Sequence, residues 1–127
     1  MYRYFNLKEF DSPDEVGSGG KMRAEFLRRL DTARHISQTP YVITSGFRSI
    51  AANNELIKRG YRASRNSSHL KGWAADIQAN DSRTRHRILK GLIEAGFNRI
   101  GISGAGFIHV DADPAKKEAV WLYPANQ

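Results

Sequence analysis

The chain has 127 residues, 40% of them hydrophobic and 10% aromatic, which suits a single folded domain over residues 1–127 and leaves too little chain for two cores. There is no cysteine, so disulfides, thiolate ligands and cysteine nucleophiles are excluded together, and any metal must be held by His, Asp or Glu. Twenty Lys and Arg against thirteen Asp and Glu give a net charge of +7, which either favours anionic partners such as nucleic acid, teichoic acid or the peptidoglycan surface, or serves solubility alone.

The N-terminal arm, residues 2–10, carries Phe5, Leu7 and Phe10, apolar residues able to pin it onto the domain. Its charges fall where a signal peptide needs an apolar core, and nowhere does the chain approach the roughly 20 apolar residues of a membrane span. The expectation is a protein made in the cytoplasm without an export signal. Ser12, Pro13 and the run Gly17-Ser18-Gly19-Gly20 read as a loop. From residue 21 to about 37, Met22, Phe26, Leu27, Leu30, Ala33 and Ile36 recur at helical spacing, with Arg23, Arg28, Arg29 and Asp31 on the opposite face. Pro40 stops this helix, and the β-branched run at 41–44 reads as a strand.

Residues 45–49 turn the chain into a second helix of about ten residues, with Ser49 as its N-cap and Gly60 at its end. A long polar loop is expected at 62–72, then a strand at 73–79. Asp81 or Ser82 caps a third helix reaching about residue 95, with Ile88, Leu89, Leu92 and Ile93 on its buried side. Strands at 99–102 and 107–112 follow, joined by a hairpin turn at 103–106. Helices and strands in this order predict an α+β fold, a small, mainly antiparallel sheet with helices packed on one face.

Two of these segments carry chemistry. Strand alternation puts Ala74, Asp76 and Gln78 on one face of the 73–79 strand, and Phe107, His109 and Asp111 on one face of the last strand. Asp76 lies between Ala75 and Ile77, and a buried carboxylate needs a cation or hydrogen-bond donors. If the two strands are near neighbours, both polar faces converge with His69 of the polar loop. Two imidazoles and a carboxylate leave a fourth tetrahedral position for water, as in catalytic zinc sites. The plain alternatives are a core histidine with satisfied hydrogen bonds and an aspartate bonded to backbone amides. His35 and His86 sit among charged residues on helices and read as solvated; Trp73 and Trp121 line a substrate groove or pack the core and its rim.

The stretch Ser67-Ser68-His69-Leu70-Lys71-Gly72-Trp73-Ala74-Ala75-Asp76 resembles the Ser-x-His-x-x-Gly-x-Ala-x-Asp motif of zinc D-Ala-D-Ala carboxypeptidase-like peptidases, the LAS-type metallopeptidases. Phe107-Ile108-His109-Val110-Asp111 looks like their closing His-x-Asp strand, and Ser45-Gly46-Phe47-Arg48-Ser49 is similar to the segment preceding their first ligand. Residues 5–11 look like the family's opening. The resemblance implies a hedgehog/DD-peptidase-like fold and one Zn2+ held by His69, Asp76 and His109. It also implies that Arg48 binds a substrate carboxylate or the oxyanion, that Ser67 contributes beside the metal or to substrate binding, and that Gly72 lets the loop pass close to the metal.

Many relatives place a proton-transfer residue two or three positions before the last ligand, where this chain has Phe107 and Gly106, neither able to take a proton. Asp111 is the substitute, as general base or, by preference, as a partner orienting a ligand imidazole. The implied activity is hydrolysis of peptidoglycan peptides by carboxypeptidase or endopeptidase action at D-amino-acid-containing amides, with a phage lysis or virion enzyme acting on the cell envelope as one setting. The alternative is a non-catalytic zinc-containing binding module. Nucleic acid ranks last as a partner, because no binding motif accompanies the groups Arg28-Arg29 and Arg83, Arg85, Arg87 and Lys90.

Overall fold

A computed structural model describes residues 2–61 and 63–124. Residue 62, at the start of the expected polar loop, lies outside the described residues. The glycine-rich run forms a 3-10 turn, Ser18–Lys21, so helix α1 covers Ala24–Ser37 and starts later than the apolar spacing suggested. Phe26, Leu27, Leu30 and Ala33 are buried along its inner stripe. Asp31 was expected on the outer face and is instead buried, accepting hydrogen bonds from the backbone N–H groups of Arg3 (3.2 Å) and Tyr4 (3.0 Å). The N-terminal arm is thus held by a carboxylate as well as by Phe5 and Phe10, which pack edge to face with centroids 5.4 Å apart. Leu7 is exposed.

Strand β1 is Ile43–Ser45, and Tyr41, expected at the start of that strand, is buried in the core ahead of it. Helix α2, Ile50–Lys58, starts at Ser49, whose hydroxyl accepts from the Ala52 N–H at 3.0 Å. The polar loop contains a 3-10 turn, Ser68–Lys71, and leads into β2, Ala74–Gln78. Helix α3, Ser82–Glu94, is capped by Asp81, which accepts from the Thr84 N–H at 2.8 Å. Ile88 and Leu92 are fully buried and Leu89 partly so, whereas Ile93, expected inside, is 60% exposed. Ile93 lies about 100° round the helix from Leu92, and the inward place between Ile88 and Leu92 is taken by Gly91.

Strands β3 (Arg99–Ser103) and β4 (Phe107–Asp111) form the expected hairpin. A further strand, β5 (Ala119–Leu122), had no counterpart among the expected elements and pairs parallel to β3. The sheet order is β1-β2-β4-β3-β5, antiparallel in every pairing but the last. Ala75, Ile77, Ile100, Ile108 and Val110 form one core cluster with Phe26, Leu27, Leu30, Ile88 and Leu92, so α1 and α3 cover this face of the sheet. The α+β class and the largely antiparallel sheet follow the expectation. The opposite face of β2 and β4 looks into a cavity that α2 helps to line.

Candidate metal centre

The β-ladder aligns the site. Ser45 of β1 pairs with Asp76 of β2, Asp76 with His109 of β4, His109 with Gly101 of β3, and Gly101 with Trp121 of β5. Paired residues share a sheet face, so this row of five positions crosses the whole sheet on the cavity side. Gly101 makes the row work. A Cβ at this position would lie 2.5 Å from Trp121 Nε1 and 2.6 Å from Tyr123, so only glycine lets the two aromatics lean over β3 toward His109. The Trp121 and His109 ring centroids are 5.5 Å apart.

His69 arrives from the turn Ser68–Lys71. Ser67 caps that turn, its hydroxyl accepting from the His69 N–H at 3.2 Å. Gly72 closes it with φ +77°, and a Cβ there would meet the Lys21 carbonyl oxygen at 2.5 Å. The close approach that requires Gly72 is therefore to the backbone near residue 21. The turn is fastened to the end of β4 by Asp113: Ser68 Oγ donates to its Oδ2 at 2.8 Å, and Lys71 Nζ lies 3.1 Å from the same oxygen.

Asp76 Oδ1 lies 3.3 Å from His69 Nε2 and 3.0 Å from His109 Nδ1. One ligand atom from each of the three residues falls within 4.8 Å of the others, the only such His/Asp/Glu group among the described residues. The remaining ring nitrogens are engaged behind the cluster. His69 Nδ1 lies 2.8 Å from the Gly46 carbonyl oxygen, an acceptor only, so the ring carries its proton on Nδ1 and presents a lone pair at Nε2. His109 Nε2 lies 2.7 Å from Asp111 Oδ2, leaving Nδ1 to face Asp76.

The electrostatics fit a cation. Burial, opposed by the Asp76 charge, holds His69 below the usual imidazole range and therefore neutral. Burial alone would raise Asp76, but the two imidazoles beside it overcome that effect and keep its carboxyl well below the ordinary range. Burial likewise pulls His109 down, and hydrogen bonds to Asp111 and Asp76 outweigh it, lifting the group to about 9 in the metal-free protein. A neutral imidazole, a firmly ionised carboxylate and an imidazole held between two carboxylates make a donor set with no sulfur, suited to zinc.

The other expected residues take distinct places. Arg48 is partly buried; Nη1 donates to Asn53 Oδ1 at 3.0 Å and Nη2 to Ser45 Oγ at 3.2 Å, with no carboxylate within ion-pair distance among the described residues. Asp111 is buried behind His109, one oxygen on the imidazole and the other 2.7 Å from Arg99 Nε. Ser67, His69, Asp76, His109, Arg48 and Trp121 all line one cavity of about 1170 Å³. Trp73 packs against the core under Arg23, and His35 and His86 stay on the surface, His35 bonded to the Tyr4 hydroxyl. Arg99, Asp113 and Tyr123 were not singled out from the sequence as parts of the site. The signal for Arg99 was its place two residues before Gly101, meaningful only once β3 and β4 are in register.

Residues 3–111 match the family described as Peptidase M15. The peptidoglycan L,D-endopeptidase MepK of Escherichia coli K12 is 31% identical over 81 residues, which is 63% of this chain and 44% of that protein. The MepK of Shigella flexneri matches with the same figures, so the chain spans less than half the length of these curated relatives. Among solved structures, the L-Ala D-Glu endopeptidase ChiX of Serratia marcescens shares the fold, with a TM-score of 0.54 and 20% identity over 72% of this chain and 80% of that one.

Proposed function

The chain belongs to the peptidase M15 family, and from that membership we propose that it is a zinc-dependent endopeptidase cutting the stem or cross-link peptides of bacterial peptidoglycan. One observation carries the reading: the ligand atoms of His69, Asp76 and His109 converge within 4.8 Å on a large cavity. The wall peptide as substrate, and an amide beside a D-residue as the bond, are supported by the similarity to MepK, a peptidoglycan L,D-endopeptidase. The cavity extends from the cluster toward Ala52 and Glu55 of α2 on one side and toward Trp121 and Tyr123 on the other. The similarity to MepK, an endopeptidase, favours cutting within a peptide over trimming its end. The place of action under this reading is the cell envelope.

His69, Asp76 and His109 would hold the zinc, which would supply Lewis acidity for a scissile carbonyl and for water near neutral pH. The protein's own groups do the rest. The Gly46 carbonyl fixes the His69 tautomer, and Asp111 orients His109. Arg48, its fork steadied by Asn53 and Ser45, binds a substrate carboxylate or the oxyanion in the planar geometry a guanidinium offers. Ser67 holds the His69 turn and offers its hydroxyl to bound peptide from the cavity wall. With both oxygens engaged behind the imidazole, Asp111 serves orientation and not proton transfer.

Zinc-loaded protein incubated with purified peptidoglycan is expected to release muropeptides with a new amino terminus, identified by mass spectrometry, and His109→Ala is expected to release them on the order of 10³-fold more slowly. Equal rates of release from both proteins would sink the reading. Stoichiometric zinc binding without any cleavage would replace it with the non-catalytic module.

A further inference from the structure

Arg99 stands out among the cations of the cavity because it pairs with the carboxylate that bonds His109. Nε donates to Asp111 Oδ1 at 2.7 Å, Nη1 donates to the Lys117 carbonyl oxygen, and the guanidinium lies 5.0 Å from the centre of the Trp121 ring. Its side chain is 15% exposed and that of Asp111 is 1% exposed, so the pair joins a half-buried guanidinium to a buried carboxylate. We infer that Arg99 is a positioning residue of the metal centre, acting through Asp111 to fix the ring of His109, an inference that rests on reading the His69, Asp76 and His109 cluster as a zinc site.

The chain of cause runs backward from the ligand atom. His109 faces the cluster with Nδ1, so its orientation is set by what Nε2 meets, and Nε2 meets Asp111 Oδ2 at 2.7 Å. Holding the second oxygen of Asp111 fixes the plane of its carboxylate and so the aim of the first at the imidazole. Oδ1 is held by Arg99 Nε at 2.7 Å and, at 3.3 Å, by the Asp113 N–H. A buried carboxylate also needs its charge compensated, and the Arg99 guanidinium supplies that compensation on the side away from the metal ligands. The ladder explains why the pair forms: Arg99 and Asp111 flank the pair Ile100–Val110 on the face that carries Gly101 and His109.

Arg99 is itself held by segments beyond residue 111, where the family match ends. Lys117 gives it a carbonyl, and Trp121 of β5 gives it an aromatic face that Gly101 leaves room for. The parallel edge strand therefore braces the metal centre without contributing a ligand.

The test compares Arg99→Met and Arg99→Lys with the parent protein, using zinc affinity by competition with a chromophoric chelator, the visible spectrum of the cobalt-substituted site, and the ¹⁵N pattern of the His109 ring in zinc-loaded protein. Arg99→Met is expected to weaken zinc by about 10- to 100-fold, the range for loss of a group supporting a ligand, and to alter both the cobalt spectrum and the His109 signals. Arg99→Lys, which restores the charge without the fork, is expected to recover part of the affinity. If Arg99→Met does not fold, Arg99→Gln is read against the same expectations. Zinc affinity within about twofold of the parent together with unchanged spectra overturns the inference, whether or not KM rises, since a KM effect alone would make Arg99 a substrate contact. The underlying reading fails differently: the parent protein itself would bind no zinc.

Discussion

Strands β2 and β4 present two surfaces built from alternate residues of the same short segments. Ala75, Ile77, Ile108 and Val110 face α1 and α3; Asp76, His109 and Asp111 face the cavity. Both sets are largely withdrawn from water, yet different physics holds them. The helical side gains from area, roughly 25 cal/mol for each Å² of apolar surface removed from water, and accepts any filler of the right volume. On the cavity side the His69 and His109 ring nitrogens, Asp76 Oδ1 and both oxygens of Asp111 have named partners at 2.7–3.3 Å, and removing one partner strands the other in a dry place. The first surface sets stability and the second sets chemistry, so substitutions at adjacent residues of one strand should separate the two properties.

The largest separation is expected at neighbouring positions of β4. His109→Ala removes a ligand and should cut peptidoglycan cleavage by on the order of 10³-fold, the scale of losing a principal electrostatic stabiliser, while every apolar contact of the helical face is retained. Ile108→Ala deletes a fully buried side chain beside it and should cost about 2–5 kcal/mol of unfolding free energy, with zinc stoichiometry and activity per folded molecule retained. Chemical denaturation and zinc titration on the same preparations decide the matter. Loss of zinc binding in Ile108→Ala would show that the two faces are mechanically coupled.

The division between the faces was visible in the sequence wherever it depends on alternation or on local motifs. Period-two patterning around Asp76 and His109 placed both on the cavity side, and Ser49 and Asp81 marked helix starts through their hydrogen-bonding side chains. What could not be read depends on partners distant in sequence. Asp31 looks like an outward charge on α1, and the N–H groups of Arg3 and Tyr4 with the Arg3 guanidinium, nearly thirty residues earlier, make its burial tolerable. β5 is four residues long with Val120 and Leu122 exposed, too short for a period to show. Arg99 acquires meaning only through register with Asp111.

A proton should compete with zinc on the cavity side and leave the helical side indifferent. In the metal-free protein Asp111 and Asp76 outweigh burial and raise His109 to about 9, so below that pH zinc must displace a proton from the ring. Zinc affinity should therefore fall by about tenfold for each pH unit from 9 to 7. His69, lowered by burial, is already neutral and adds no such dependence there. The sign for folding is opposite: a raised histidine stabilises the metal-free protein fully below its unfolded value near 6.5 and loses that contribution as pH rises through about 9. Metal-free protein should thus melt lower at pH 9.5 than at pH 6.5, while zinc binds better at the higher pH. A pH-independent zinc affinity would mean that His109 is not proton-loaded in the free site.

The smallest expected effect is the cleanest check on the apolar face. Ile77 sits on β2 next to Asp76, fully buried, opposite Ile108 in the ladder. Ile77→Val removes one methylene and keeps the β-branched shape that suits a strand, so it should cost about 0.5–1.5 kcal/mol. Because Asp76 takes its position from strand register and from two imidazoles, neither of which involves the lost methylene, zinc affinity should stay within about twofold. Urea denaturation of metal-free protein reads the first number and chelator competition the second. A change in zinc affinity larger than the change in stability would show that packing behind the strand tunes the carboxylate in front of it, and the two faces would then have to be treated as one unit.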